Sequence, residues 1–145
     1  MGSNPSLSAK QIKMNLKLII TLSLFGLAMA IATVFIIPSN IEFAFWLPIF
    51  IVSAYFIAKR APGMYFLHGF LTSLANCVWI TGAHILLFTR YAANHVQELE
   101  MSNKIPILHG HPRQLMLIMG PMIGIISGLV LGLFAFIASK IVKKA

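Results

Sequence analysis

Four long apolar runs, separated by polar segments, make up most of the chain. The runs cover residues 16–37, 41–58, 64–88 and 115–142, and the longest polar segment covers residues 89–114. A helix of about 20 apolar residues is long enough to cross the hydrocarbon core of a bilayer. The pattern therefore predicts an all-α membrane protein. We expect a single membrane domain with four transmembrane helices in an antiparallel bundle and one sizeable extramembrane loop.

The composition indicates that lipid is the solvent of most of the chain. Hydrophobic residues make up 59% of the 145 residues and charged residues only 10%, with a mean hydropathy of +0.88. A soluble domain carries about 25% charged residues. The net charge is +8, but the basic residues stand in short clusters between apolar runs, as topology signals do. We therefore expect the lipid bilayer as a partner and exclude nucleic acid.

Lys and Arg are distributed unevenly between the two ends of the predicted helices. The N-terminal tail, the second connection and the C-terminal end hold three, two and three of them, whereas the first and third connections hold none and three. The three acids of the chain, Glu42, Glu98 and Glu100, all lie on the poorer side. The positive-inside rule then places both termini in the cytoplasm. Residues 1–15 are expected to form a frayed cytoplasmic tail with a short interfacial helix from Ser8.

The first apolar run is expected to remain as a transmembrane helix. Ala28-Met29-Ala30 resembles a signal-peptidase site, but the apolar run continues seven residues past Ala30, which favours an uncleaved helix. The turn signal Pro38-Ser39-Asn40 follows, so we expect the first two helices to form an antiparallel hairpin. Gly26 and Ala30 stand four residues apart and give this helix one face of small residues.

The last apolar run carries four glycines at a spacing of four residues: Gly120, Gly124, Gly128 and Gly132. Residues four apart lie on nearly the same face of a helix, so these glycines form a groove without side chains. Helices in lipid associate through close packing, which small residues allow. We expect this groove to pack on the Gly26/Ala30 face of the first helix, or on its own copy in a dimer.

The third run is the most polar and contains the candidate functional residues. At about 100° per residue, one band contains Ser73, Cys77, His84, Tyr91 and His95, and a second stripe contains His68, Thr72 and Asn76. Ionisable groups inside a membrane are costly and are therefore functional candidates. The simpler interpretation is structural, with a buried interhelical hydrogen bond for Asn76. No helix breaker follows this run, so its helix is expected to continue past Arg90 as a stalk.

Three histidines on the external side, His95, His109 and His111, raise the alternative of a divalent metal site. Imidazole, together with the nearby Glu98 and Glu100, suits Zn, Cu or Ni. However, the chain contains neither H-E-x-x-H nor paired C-x-x-C motifs, which are the usual signatures of such sites. We predict no cofactor and keep the external metal site as an alternative.

The sequence gives less support to a haem site or a catalytic site than to a metal site. His68 and His84 are sixteen residues apart on one helix, about 24 Å along its axis, so one protomer cannot bind a single haem with both. The chain contains no Asp, no G-x-S-x-G motif and no P-loop. The sequence therefore does not predict an enzyme.

The segment Phe66-Leu67-His68-Gly69-Phe70, with Asn76, Trp79, Ile80 and His84, is followed by a loop rich in Pro and His and by the glycine-rich last helix. This order resembles small uncharacterised bacterial inner-membrane proteins of the domain-of-unknown-function type. The resemblance implies a bacterial plasma membrane and four helices. It implies no activity and no site residues.

Three functional hypotheses follow. The first is a non-enzymatic membrane protein that acts through helix–helix association, as a homo-oligomer or as a subunit of a larger membrane complex. The second is a small solute or ion channel or transporter formed by oligomerisation, with the polar residues of the third helix lining the path. The third is a membrane protein that binds metal through its external histidines.

Overall fold

The computed structural model describes residues 13–143, and these residues form helices and turns without any strand. The predicted frayed tail and the short helix from Ser8 lie largely outside this range. The helices are α1 (Leu16–Phe35), α2 (Ser39–Arg60), α3 (Tyr65–Leu86), α4 (Phe88–Asn94), α5 (Val96–Asn103) and α6 (Pro112–Ile141), with a 3₁₀ turn at Pro106–Leu108. The all-α prediction is confirmed. Four of the helices, α1, α2, α3 and α6, are long and apolar enough to cross a membrane.

Local signals explain where the long helices begin and end. The side chain of Asn15 accepts a hydrogen bond from the backbone N–H of Leu18 at 3.0 Å and so caps α1, as asparagine commonly does. α2 ends at Arg60, and Ala61 is extended (φ −72°, ψ 139°) because it precedes Pro62. Pro112 occupies the first turn of α6, where its missing N–H is not needed.

The central helix of the bundle is α3, which packs against α1 and against α6. α2 packs mainly on α6 and has only minor contacts with α1, so the predicted hairpin is not the main packing of either helix. Polar groups in lipid are stable only when they are buried inside protein. The most polar of the four long helices therefore takes the position between two others.

The glycine groove of α6 packs on α3, so the prediction that it packs on α1 is wrong. A Cβ atom added at Gly124 would lie 2.8 Å from Cβ of Cys77, and one added at Gly132 would lie 2.9 Å from the Phe66 ring. In chain order the four glycines lie against Thr81, Cys77, Phe70 and Phe66. The groove is therefore filled from within the same chain.

Close approach is reciprocal along the α3–α6 interface and recurs between α1 and α3. A Cβ at Gly69 of α3 would lie 2.6 Å from the backbone oxygen of Leu131. On the other side of α3, a Cβ at Gly26 would lie 2.7 Å from Cα of Asn76, and Ala30 is fully buried. The small residues of α1 thus serve packing, with α3 as their partner.

The helix of the third run does not continue as a stalk, which corrects the prediction. It stops at Leu87 (φ −101°, ψ 28°), and a second break at His95 (φ −130°, ψ 48°) separates α4 from α5. α4 contacts α1, and α5 contacts α6. Residues 88–103 therefore form a cap across one end of the bundle. The contacts of the cap with the rest of the bundle, described below, stabilise the broken helix more than a continuous helix would be stabilised.

Candidate functional site

His68 lies fully buried near the start of α3 and is satisfied at both ring nitrogens. Its Nε2 accepts the backbone N–H of Asn15 at 3.0 Å, and its Nδ1 lies 3.0 Å from the carbonyl oxygen of Met64. A carbonyl can only accept, so Nδ1 carries the hydrogen and the ring is neutral. Thr72 donates to the carbonyl of His68 at 2.8 Å. The Asn15–His68 bond joins the start of α1 to α3, as a structural role requires.

Asn76 lies near the middle of α3, 3% exposed and pressed against Gly26. Neither its Oδ1 nor its Nδ2 has a hydrogen-bond partner among residues 13–143. The interhelical hydrogen bond expected of Asn76 is therefore not formed. A buried polar group left unsatisfied costs about 1–3 kcal/mol, so Asn76 offers both a donor and an acceptor at an energetic cost.

The residues Ser73, Cys77 and Thr81 lie toward α6. The hydroxyl of Ser127 donates to the carbonyl of Ile123 at 2.6 Å, so Ser73 donates its own hydrogen to Ser127 across 2.9 Å. The Cys77 sulfur lies 3.7 Å from Oγ1 of Thr81. The predicted band on α3 is thus divided: its first half lies in the α6 interface, and its second half belongs to a different cluster.

That second cluster is a stack of three rings at the junction of α3, α4 and α5. The ring centroids of His84 and Tyr91 lie 4.2 Å apart, and those of Tyr91 and His95 lie 4.1 Å apart with an interplanar angle of 10°. The break at Leu87 brings Tyr91 onto the ring of His84. The structure thereby unites the three residues of the band that an unbroken helix would have placed at increasing height.

Hydrogen bonds tie this stack to α1. The hydroxyl of Thr33 donates to the carbonyls of Met29 and Ala30 at 2.9 and 3.1 Å. Nε2 of His84, 2.9 Å from the same oxygen, is therefore the donor of their shared bond. The side-chain amide of Asn94 donates to the carbonyl of Val34 at 2.7 Å. The first bond joins α3 to α1, and the second holds the cap against the end of α1.

His95 is 2% exposed and has one free nitrogen. Its Nδ1 lies 3.0 Å from the carbonyl of Tyr91 and must donate, which leaves a lone pair on Nε2 in the neutral ring. Nε2 has no hydrogen-bond partner in the part of the chain that the structure describes. His95 is thus a buried acceptor without a donor.

Two carboxylates act on the middle ring of the stack. Burial, followed by the negative charges of Glu98 and Glu42, raises the pKa of Tyr91 to about 12. The phenol therefore stays protonated at neutral pH. The negative charges of Glu98 and Glu42 thus disfavour the phenolate form of Tyr91.

A half-open cavity of about 470 Å³ lies beside the stack, at the ends of α2 and α5. Its walls are the N-terminal turn of α2, the end of α4 and the N-terminal turn of α5: Pro38, Ser39, Asn40, Asn94, His95, Val96, Gln97 and Glu98. No side chain of the described residues caps α2 at Pro38 or α5 at His95. The first-turn N–H groups of two helices therefore lie at one cavity, and such groups attract anions.

The structure does not bring together the three histidines predicted as a metal site. His95 is buried, whereas His109 and His111 are exposed. Among residues 13–143, no three His, Cys, Asp or Glu side chains form a group that could hold a metal ion. His109 and His111 are close in sequence, but the structure does not group them with His95.

Sequence reasoning missed several residues of this end of the bundle, among them Thr33, Asn94 and Gln97. Thr33 lies in an apolar run, where one hydroxyl gives no signal of its partner. Pro38-Ser39-Asn40 predicts a turn, but Pro, Ser and Asn also occur at helix starts. Read as the start of α2, this segment would have indicated the position of the uncapped N–H groups.

The lining of the cavity combines the helix starts at Ser39 and Val96 with Glu98 and His95. The chain matches no protein-family model, no curated protein and no solved structure.

Proposed function

We propose that this chain is a non-enzymatic, multi-pass protein of the bacterial inner membrane that forms a pathway for a small polar solute, within a homo-oligomer. In this proposal α1 and α3, which are in close contact at Gly26 and Asn76 in this structure, separate to open the path, and the cavity at the cap is its outer mouth. The observation that carries the proposal is the pair of buried, unpartnered polar side chains, Asn76 within α3 and His95 at the cavity. An unsatisfied polar group at membrane depth, as Asn76 would be, is costly and is therefore a functional candidate.

The proposed topology is an antiparallel bundle with both termini in the cytoplasm. It is supported by the register of α3 and α6, in which Gly120 lies against Thr81 and Gly132 against Phe66. Residue numbers that rise on one helix while they fall on the other are typical of antiparallel neighbours. The side of the membrane is an inference from the Lys and Arg clusters.

A pathway fits the packing better than association through the glycine groove. In α6 that groove already contains side chains of α3, so it offers no bare face to another molecule. Among residues 13–143, the buried polar side chains without hydrogen-bond partners are Ser53 of α2, Asn76 of α3 and His95 of the cap. They are the groups that could exchange hydrogen bonds with a passing solute.

Association remains the second candidate because α2 is poorly covered. Large apolar side chains of α2 are exposed, with Phe43 76% and Ile51 55% exposed. An apolar groove of about 440 Å³ runs between α2 and α6, lined by residues that include Ala54, Phe134 and Ala138. Four spans are few for a solute path, and a homo-oligomer formed along this side would supply the missing walls.

Proteoliposomes that contain the purified protein provide the test of the pathway. Swelling in isotonic alanine, glycerol and ammonium chloride would be followed by light scattering. We expect Asn76→Leu to slow the permeation of the conducted solute about tenfold, since one lost hydrogen bond of about 1.4 kcal/mol has that effect on a rate. Val78→Leu is the matched control, because Val78 is on the same helix and exposed.

Two results would contradict the pathway. One is swelling no faster than in empty liposomes for all three solutes. The other is equal permeation through the wild type and Asn76→Leu, which would show that the solute does not pass this residue. In either case chemical cross-linking of the protein in native membranes would test association by itself.

A further inference from the structure

We infer that the groove between α2 and α6 binds an anionic phospholipid, with an acyl chain along the groove and the phosphate at the basic ends of the two helices. The inference goes beyond the proposed pathway and requires only that the protein lies in a bilayer. Its evidence is an apolar groove of about 440 Å³ that ends at a cluster of positive charges. This volume is within the range of ligand sites, about 300–1,000 Å³.

The groove is deepest at two small residues. Ala54 of α2 is 3% exposed and Ala138 of α6 is half-buried, whereas Ile51 and Ile137 beside them are exposed. The other lining residues are also large and apolar or aromatic: Tyr55, Phe134, Ile141 and Val142. A surface of this kind packs on hydrocarbon and offers little to a free ion.

The two helices of the groove run in the same direction. The ring centroids of Phe50 and Phe134 lie 6.5 Å apart, and the other lining residues follow these two positions along both helices. α2 ends at Arg60 and α6 at Ile141. The residues around both C-terminal ends therefore lie at the same end of the groove.

Four exposed basic residues stand at this end and form the basic cluster: Lys59, Arg60, Lys140 and Lys143. Nζ of Lys59 lies 3.3 Å from the hydroxyl of Tyr55 and 5.6 Å from the centre of its ring. Tyr55 lines the groove, so it holds the Lys59 ammonium at the end of the apolar surface. Lys143 directly follows Val142, which also lines the groove.

The acidic side chains of the protein lie away from the basic cluster. The chain has three: Glu42 is in the first turn of α2, and Glu98 and Glu100 are in α5. Glu98 lines one cavity together with Ser39 at the start of α2, so these acids belong to the other end of the bundle. Basic pockets between transmembrane helices bind anionic lipid headgroups, and here no acidic side chain of the chain competes with the headgroup.

Charge favours a lipid over a second copy of the chain. A copy docked groove to groove, with the same orientation in the membrane, would bring an equal basic cluster to the same depth, and like charges repel. A free phosphate would meet the charges and leave the apolar groove without a partner. An anionic phospholipid supplies a phosphate and hydrocarbon at the two matching depths.

The test is native mass spectrometry of the purified protein, equilibrated in micelles with equal amounts of phosphatidylglycerol and phosphatidylcholine. We expect the wild type to retain phosphatidylglycerol in preference to phosphatidylcholine. The double variant Lys59→Gln/Lys143→Gln should lower this preference about thirtyfold, since each basic residue near an anionic headgroup contributes a factor of about five. The matched control is Arg90→Gln/Lys104→Gln, which removes two positive charges from exposed positions at the cap end and should keep the preference.

A second pair of variants tests the place of the acyl chain. Ala138→Leu fills the groove with a larger side chain and should release phosphatidylglycerol although the basic cluster is intact. Ala93→Leu makes the same change at an exposed position of α4 and should retain the lipid. Circular dichroism shows whether each variant is folded. Unchanged retention by a folded Ala138→Leu protein would overturn the binding of the chain in this groove.

Four other results would overturn the inference. Equal retention of the two lipids by the wild type would exclude recognition of the headgroup, and an equal loss of preference in both charge variants would indicate an effect of net charge alone. Displacement of phosphatidylglycerol by glycerol 3-phosphate would assign the basic cluster to a free phosphate compound. A dimer without bound lipid, which Ala138→Leu dissociates, would assign the groove to a second copy.

Discussion

Gly69 of α3 provides the sharpest test of the packing, with Gly82 of the same helix as its control. A Cβ at Gly69 would lie 2.6 Å from the backbone oxygen of Leu131 and 2.8 Å from Cα of Gly132. These are backbone atoms of α6, which cannot rotate away. At Gly82 no atom of the described chain lies within 4 Å of such a Cβ.

The size of the effect follows from these distances. Ordinary contact begins at 3.4 Å, so Gly69→Ala must move α6 away by close to 0.8 Å (3.4 Å minus 2.6 Å). A gap of about 0.5–1 Å forfeits a quarter to a half of each van der Waals contact along an interface, and overpacking of this kind costs about 1–3 kcal/mol. Any gain in helix propensity from Gly to Ala is shared by Gly82→Ala, so it cancels when the two variants are compared.

The assay is reversible unfolding in mixed micelles by increasing the mole fraction of sodium dodecyl sulfate, followed by circular dichroism and Trp fluorescence. We expect Gly69→Ala to be less stable than Gly82→Ala by about 1–3 kcal/mol, and Gly82→Ala to equal or exceed the wild type. Equal stability of the two alanine variants would refute the close α3–α6 packing described above.

Two further predictions concern the ring stack. Thr33→Val removes the hydroxyl that accepts from His84 and should lower the free energy of unfolding in the same assay by about 1 kcal/mol. Thr21→Val is its control, because the exposed Thr21 bonds only within its own helix turn, and an equal loss in both variants would contradict the role of the His84 bond. The pKa of Tyr91, raised to about 12 against 10.0 for an ordinary phenol, makes the folded state hold the phenol proton more tightly than the unfolded state. The stability contributed by this proton is complete below pH 10 and is lost as the pH rises toward 12. Ultraviolet titration of the phenolate should show one late tyrosine, which disappears in Tyr91→Phe and titrates earlier in Glu98→Gln. A titration unchanged by Glu98→Gln would contradict the electrostatic effect of that carboxylate on Tyr91.

The spans were predictable because the bilayer is a uniform solvent of known thickness. Hydropathy and length locate α1, α2, α3 and α6 to within a few residues. The partner of the glycine groove was not predictable in the same way. A bare groove specifies close approach without specifying which helix approaches, and both α1 and α3 offer small residues. Polarity decides the choice, because α3 has to bury two polar faces.

The candidate site depends on features that leave little trace in the sequence. No Pro or Gly marks the break at Leu87. It is stabilised by partners distant in the chain, such as the bond from Asn94 to the carbonyl of Val34. The helical band correctly grouped His84, Tyr91 and His95. The prediction of a continuous helix, however, did not allow their rings to stack. The donors of the cavity are backbone N–H groups, which no residue type reveals.

The packing of α1 against α3 has a consequence for biosynthesis. Ribosomes deliver α1 and α2 to the membrane first, yet these two helices contact each other only slightly, and the main partner of α1 is α3. On insertion into a bilayer, α1 would therefore be without its main partner until α3 has also been inserted. A nascent chain stopped after Arg60 would hold two inserted segments that have not yet assembled, and synthesis of α3 would be the step that starts tertiary structure.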